Sequence, residues 1–220
     1  MFLPESVIKL DVAPEALPKL YRRQYKIPQT LAALADVVVQ RWIASGKVIL
    51  APVNCAYNNP LMVAPKKDEH GKMTGIRVCI DPRPLNAALL SNDRFHLPFI
   101  RDTLEVFGGC SLFGEFDLSE AYLQFMLHPD SRPFTAFTWN GQQYMFAGVP
   151  FGLSPTSSIF QRTMSHVFHD LPFTFPYIDN LPFASKSWEE HTEHAIVILD
   201  RLNQVNLKVK PSLTIPVSSV

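Results

Sequence analysis

Two stretches of this 220-residue chain each end in an acid. Asp117 closes Leu112-Phe113-Gly114-Glu115-Phe116-Asp117, and Asp179 closes Phe175-Pro176-Tyr177-Ile178-Asp179. Taken singly, an acid at a strand end forms a turn or caps a helix. On neighbouring strands, two such carboxylates repel each other unless a cation bridges them. Magnesium takes few carboxylates and keeps positions for phosphate oxygens and water, so the chemistry this pair points to is metal-assisted phosphoryl transfer. Asn180 follows Asp179 where a second acid would complete the cluster, and its amide offers an oxygen without charge.

Other candidate groups are less directive. Lys66 and Lys67 begin the polar tip Lys66-Lys67-Asp68-Glu69-His70-Gly71-Lys72, which by itself reads as an ordinary solvated hairpin tip. Glu190, His191 and His194 invite a metal reading, but their helix is expected to present them to solvent, where such residues are common. Cys55, Cys79 and Cys110 are odd in number and far apart, which indicates neither a zinc site nor a disulfide framework. Formal net charge is zero, yet residues 1–100 hold 13 basic against 8 acidic residues (+5) and residues 101–220 hold 7 against 12 (−5). A basic half suits phosphates and an acidic half suits divalent cations. Proline and charge interrupt every apolar run long enough to span a bilayer. Met1 to Lys9 lacks the order of a secretory signal, so an intracellular protein is expected.

The elements that must position these groups mix helices with hairpins. Residues 1–29 read as an extended, proline-punctuated arm carrying Tyr21-Arg22-Arg23-Gln24-Tyr25-Lys26. A helix is predicted over Leu31–Ser45, capped by Thr30 and stopped by Gly46. Leu61–Ala64 and Ile76–Ile80 predict a hairpin, and Asn140-Gly141 predicts another. A short helix is predicted from Pro98 to Phe107. Ser154 and Pro155 open a further helix, and Ser187-Trp188-Glu189-Glu190 is a capping box for the last one. On that last helix Ala195, Ile198, Leu199, Leu202 and Val205 are predicted inward. The fold class expected is α+β, an antiparallel sheet backed by helices.

Several blocks resemble a known family. Phe116-Asp117-Leu118-Ser119-Glu120-Ala121-Tyr122-Leu123-Gln124 is similar to the first palm motif of reverse transcriptases, particularly those of gypsy-type LTR retrotransposon polyproteins. Thr135-Ala136-Phe137, Val149-Pro150-Phe151-Gly152-Leu153-Ser154-Pro155 and Phe160-Gln161-Arg162 resemble the next blocks. Arg77-Val78-Cys79-Ile80-Asp81-Pro82-Arg83-Pro84-Leu85-Asn86 resembles the fingers segment. Tyr177-Ile178-Asp179-Asn180 resembles the metal-binding hairpin, in order and at suitable spacing. The resemblance runs from about Tyr21 to Ser212.

It implies a right-hand polymerase. Residues 30–110 would be mainly fingers and 111–212 mainly palm, with fingers elements interleaved around 130–160 and an atypical tail over 213–220. It also implies a catalytic set of Asp117, Asp179 and Asn180, with Mg2+ or Mn2+ held by Asp117, Asp179 and the Leu118 carbonyl. Lys66 or Lys67, Arg77, Ala121, Tyr122 and Phe151 would bind the incoming nucleotide. Arg83, Asn86, Gly152 and Tyr177 would meet an RNA or DNA template-primer, and other domains of a retroelement polyprotein would be partners. Three departures count against full activity. Asn180 replaces an acid, Pro176 and Pro182 bracket the hairpin and are expected to disturb its register, and the sequence leaves the family pattern after Ser212, which implies no thumb. The competing reading is a catalytically dead remnant that binds nucleic acid or protein.

Overall fold

Proline starts the first long helix and glycine ends it. Leu31 and Ala32 donate their amides to the Pro28 carbonyl, so helix α1 (Gln29–Ala44) begins without a side-chain cap and Thr30 lies inside its first turn. Gly46 (φ +70°) turns the chain left-handed, and Lys47 N–H closes back on the Trp42 carbonyl at 3.0 Å. The computed structural model describes residues 6–90 and 107–210. The helix expected from Pro98 lies outside those residues up to its last position, as does the tail from 211.

In chain order the further strands and α-helices among the described residues are β1 (Val48–Leu50), β2 (Leu61–Lys67), β3 (Met73–Ile80), α2 (Arg83–Ala88), β4 (Leu112–Asp117), β5 (Phe137–Trp139), β6 (Gln142–Phe146), α3 (Thr156–Val167), β7 (Asn180–Ser185) and α4 (Trp188–Gln204). These strands pair antiparallel, in sheets ordered β1-β6-β5, β2-β3 and β4-β7. The chain divides into two compact units, one of Met1–Ser6, Asp93–Gln124 and Ser157–Val220, the other of Val7–Asn92 and Phe125–Thr156.

In the second unit the Asn140-Gly141 turn forms as predicted, with positive φ at both residues (+47° and +78°), the pattern of a type I′ hairpin. The N-terminal segment, predicted as an extended arm, is packed into the second unit. Ile8, Leu10 and Leu20 are buried, Ile8 N–H donates to the Met126 carbonyl (2.8 Å), and Pro14–Lys19 coils into a 3-10 turn. Burial of these apolar side chains stabilises the segment against the rest of the unit.

The first unit is built on β4 and β7, paired without interruption from Leu112↔Ser185 to Asp117↔Asn180. Pro182 does not break this register. Its carbonyl accepts from Phe175 N–H (3.1 Å), so its nitrogen faces the 173–177 segment and not β4. The missing donor is felt on that outer edge, where isolated bridges at Thr174↔Phe183 and Tyr177↔Asn180 replace a continuous strand.

Period-two alternation buries Leu112, Gly114 and Phe116 and leaves Asp117 half-buried on the other face. Beneath β4 and β7, Phe183 stacks on Phe116 (5.4 Å) and on His191 of α4 (4.6 Å). Gly114 makes room for this stack, since a Cβ there would lie 2.4 Å from the Phe183 ring and 3.0 Å from His191 Nε2.

His191 is therefore core, not the solvent-facing residue expected from the sequence. It is 3% exposed, with Nδ1 3.0 Å from Ser185 Oγ and Nε2 buried without a hydrogen-bond partner. Ser185 Oγ also meets His194 Nδ1 (2.9 Å), and the His194 ring stacks on Phe173. Glu190 accepts from Lys186 N–H in the predicted capping box, and among the described residues no metal-binding cluster of such side chains forms. Ile198, Leu202 and Val205 point inward as predicted, whereas Leu199 is 40% exposed.

Two outcomes follow from this core. Gly114→Ala should lower stability by about 1–3 kcal/mol through overpacking, read as a drop in thermal midpoint. Burial holds the His191 imidazole below its ordinary value near 6.5, with the His194 charge adding to the effect. The unfolded chain therefore takes up a proton there before the folded one does. Stability should fall as pH drops below about 6.5, and His191→Gln should flatten that part of a thermal-melt pH profile.

Candidate functional site

Tyr177 and Asn180 exchange both backbone hydrogen bonds (2.9 and 3.0 Å), so the residues between them form a two-residue turn. Ile178 takes φ +52° and Asp179 does not share the positive sign, a pattern of the II′ class that ordinarily requires glycine at its first central position. A β-branched residue there is strained by roughly 1–3 kcal/mol and persists only where its surroundings dictate it. Gln161 of α3 does this. Fully buried, it accepts from Ile178 N–H through Oε1 (2.7 Å) and donates from Nε2 to the Pro176 carbonyl (2.7 Å).

The turn meets the end of β4. Leu118 N–H donates to the Asp179 carbonyl (2.9 Å), and Asp117 lies opposite Asn180, so both acids fall at one end of the β4–β7 ladder. Asp117 Oδ1 is buried without a hydrogen-bond partner, while Oδ2 is ion-paired with Lys210. Residues 208–210 are held against this end. Ser119 N–H donates to the Lys208 carbonyl (2.9 Å), Lys210 N–H donates to the Asp117 carbonyl (2.8 Å), and Val209 bridges Leu118. Gln124 clamps Lys208 from both ends of its amide.

The 3-10 turn Ala121–Gln124 follows β4, with Ala121 buried and Tyr122 half-buried. The Tyr122 hydroxyl lies 3.1 Å from Ser157 Oγ, and its ring packs edge-on against Phe160. Burial pushes the Tyr122 phenol up; the Ser157 hydrogen bond opposes this and the nearby Asp179 charge adds to it. Asp117, Leu118, Ala121, Tyr122, Tyr177, Asp179 and Asn180 thus come together in the first unit.

The remaining candidates belong to the second unit. Lys66, Lys67 and Arg77 are exposed on β2 and β3. Lys66 pairs with Gly75 and Ala64 with Arg77, which puts Lys66 and Arg77 on one face as diagonal neighbours; Lys67 lies past a bulge. Phe151 is 42% exposed, and Gly152 takes φ +94° with Pro82 against it. Asn86 spends its amide on this loop, donating to the Gly152 carbonyl (2.7 Å) and accepting from Ser154 N–H (3.0 Å). Arg83 grips buried Asp81 through Nε (2.7 Å) and Nη2 (2.6 Å), which with the Tyr25 hydroxyl holds the Asp81 carboxyl down at about 2.

The family profile described as reverse transcriptase (RNA-dependent DNA polymerase) matches residues 64–214, well over half of the chain. The chain belongs to the reverse transcriptase family. It is 32% identical over 202 residues to the retrovirus-related Pol polyprotein from transposon gypsy of Drosophila melanogaster, covering 89% of this chain and 19% of that one. The corresponding polyprotein from transposon 297 is 30% identical over 193 residues, 87% of this chain and 18% of that one. The chain thus spans about a fifth of the length of these relatives.

Among solved structures, the foamy viral protease-reverse transcriptase in complex with dsDNA superposes with a TM-score of 0.76 at 22% identity, over 95% of this chain and 41% of that one. The native prototype foamy virus protease-reverse transcriptase gives 0.73 at 21%, over 86% and 24%. The fold is the right-hand polymerase fold expected from the sequence, α+β with antiparallel sheets and helices. No helix among the described residues is long and apolar enough to cross a membrane.

Gln161 and Lys210 were outside the predicted set. Gln161 lies in a quoted family block but its role needs the third dimension, and Lys210 reaches Asp117 across 93 residues. Gln161→Ala should free both partners of the strained turn, costing about 1–3 kcal/mol and speeding hydrogen exchange at the Ile178 amide. Gln161→Glu, which keeps the acceptor, should retain part of that protection.

Proposed function

We propose that this chain is the RNA-directed DNA polymerase portion of a gypsy-like retroelement polyprotein, acting on an RNA or DNA template-primer and deoxynucleoside triphosphates. The observation that carries this reading is the placement of Asp117 and Asp179 at one end of the β4–β7 ladder, tied by the Leu118–Asp179 hydrogen bond. The first unit acts mainly as palm and the second mainly as fingers. Relatives lend support, since one foamy viral protease-reverse transcriptase structure is a complex with an RNA/DNA hybrid.

The donor set fits a hard divalent cation. Asp117 Oδ1 is a buried carboxylate oxygen without a partner, and Asp179 and the Leu118 carbonyl add oxygens of the kind magnesium takes. When bound, Mg2+ or Mn2+ supplies the Lewis acidity that in-line phosphoryl transfer needs. Asp117 and Asp179 would hold that charge for the attack of a primer hydroxyl on phosphate. Lys66 and Arg77, sharing one face, take triphosphate oxygens, Arg as a planar fork and Lys as a flexible point charge. Tyr122, braced by Ser157 and Phe160, packs under the sugar and excludes a 2′-hydroxyl, and Ala121 of the same 3-10 turn joins it in binding the nucleotide. Phe151 lines the nucleotide pocket. Asn86 positions the Gly152 loop along the template, where Arg83 adds its remaining guanidinium donors. Tyr177 faces the primer end.

Asn180 contributes an oxygen without charge, so extension should be slow. The test is primer extension on an RNA template with Mg2+ or Mn2+. The chain should extend weakly, Asp117→Ala should abolish extension, and Asn180→Asp should raise the rate at least about tenfold, a small part of the several kcal/mol that metal-ion charge stabilisation supplies. Extension that survives Asp117→Ala overturns the reading.

A further inference from the structure

The ammonium of Lys210 sits on the same carboxylate that the proposed function gives to a divalent cation. Its position does not depend on a mobile side chain alone. The backbone of residues 208–210 is laced to residues 117–119 by the Ser119–Lys208 and Asp117–Lys210 hydrogen bonds, and to Gln124 by two more. Lys210 therefore leaves a fixed point beside β4, and its Nζ takes Asp117 Oδ2 while Oδ1 keeps its partnerless lone pairs.

The local charge makes this consequential. Asp117 and Asp179 bring two negative charges, Asn180 brings none where a second hairpin acid would stand, and Lys210 returns one positive charge. Both members of the pair are part-exposed (47% and 37%), so the contact can open to solvent, unlike an ion pair locked in the core.

We propose that Lys210 is a tethered counter-ion for Asp117. It neutralises the carboxylate in the metal-free protein, must be displaced when a divalent cation binds, and so sets the cation concentration at which the site fills. This rests on the metal-binding role given above to Asp117.

The test is Mn2+ binding to the full 220-residue chain, followed by the electron paramagnetic resonance of free Mn2+ at low ionic strength. Lys210→Met should bind Mn2+ about tenfold tighter than the unsubstituted chain, the scale of removing one unit charge close to a divalent ion at a water-exposed site. Lys210→Arg keeps the charge and should bind as the unsubstituted chain does. Added salt should narrow the gap between Met and Lys. Circular dichroism melts establish that each variant is folded, and Lys210→Gln serves if the Met variant is not. Equal affinity of the folded Met or Gln variant and the unsubstituted chain, with binding abolished by Asp117→Asn, overturns the counter-ion role and leaves the metal site standing. Binding that Asp117→Asn does not weaken overturns both.

Discussion

A two-residue hairpin of the II′ class closes only if its first central residue takes a positive φ, and in this chain that residue is Ile178. Everything proposed for the site depends on the turn staying closed. If it relaxed, Asp179 would leave the end of β4, the Leu118–Asp179 hydrogen bond would open, and Asp117 would lose its neighbour. The strain is not offset within the turn. It is met from α3, where Gln161 satisfies the Pro176 carbonyl and the Ile178 amide, an acceptor and a donor that flank Tyr177 on the approach to the bend. A buried amide with both ends engaged cannot shift without leaving polar groups unpaired, so the helix dictates the turn.

That arrangement passes its demand to the core. Gln161 shares α3 with Phe160 and Met164, both fully buried, and the strand that follows the turn is pinned by Phe183 between Phe116 and His191. Gly114 is the concession that makes the three-ring stack fit. The same β4–β7 pair thus carries a dense apolar face below and the acid-bearing end at its margin, and alternation along β4 separates the two functions by residue parity.

Much of this was legible in sequence for plain reasons. Asn140-Gly141 supplies the positive φ values its turn needs, Ser187 to Glu190 is a capping box, and acids ending apolar stretches mark Asp117 and Asp179. The failures are equally physical. Polarity alone predicts His191 outside, although it lies four residues before Ala195 and seven before Ile198 on the same helical stripe; periodicity outweighs polarity when a hydroxyl such as Ser185 is at hand. Leu199 erred in the opposite direction. Pro182 was expected to upset the hairpin, but only a strand's hydrogen-bonding edge decides what a missing donor costs, and that edge faces away from β4. Gln161 and Lys210 act across 17 and 93 residues, which no local pattern encodes.

The edge argument also bears on Asn180. Its structural work is done by its backbone, which closes the turn with Tyr177 and pairs β7 with Asp117, while its side chain is half-buried. An amide is nearly the same size and shape as the carboxylate it replaces, so the ladder, the turn and the core form with either. What changes is one unit of charge in a place where carboxylates already repel and where Lys210 already supplies compensation. Substitution between the two therefore leaves the backbone pairing in place and changes the charge beside Asp117 and Asp179. Asn180 and Lys210 push the site in the same direction, one by withholding a negative charge and the other by adding a positive one. A chain carrying both keeps the fold of its family while leaving less negative charge at this end of the ladder.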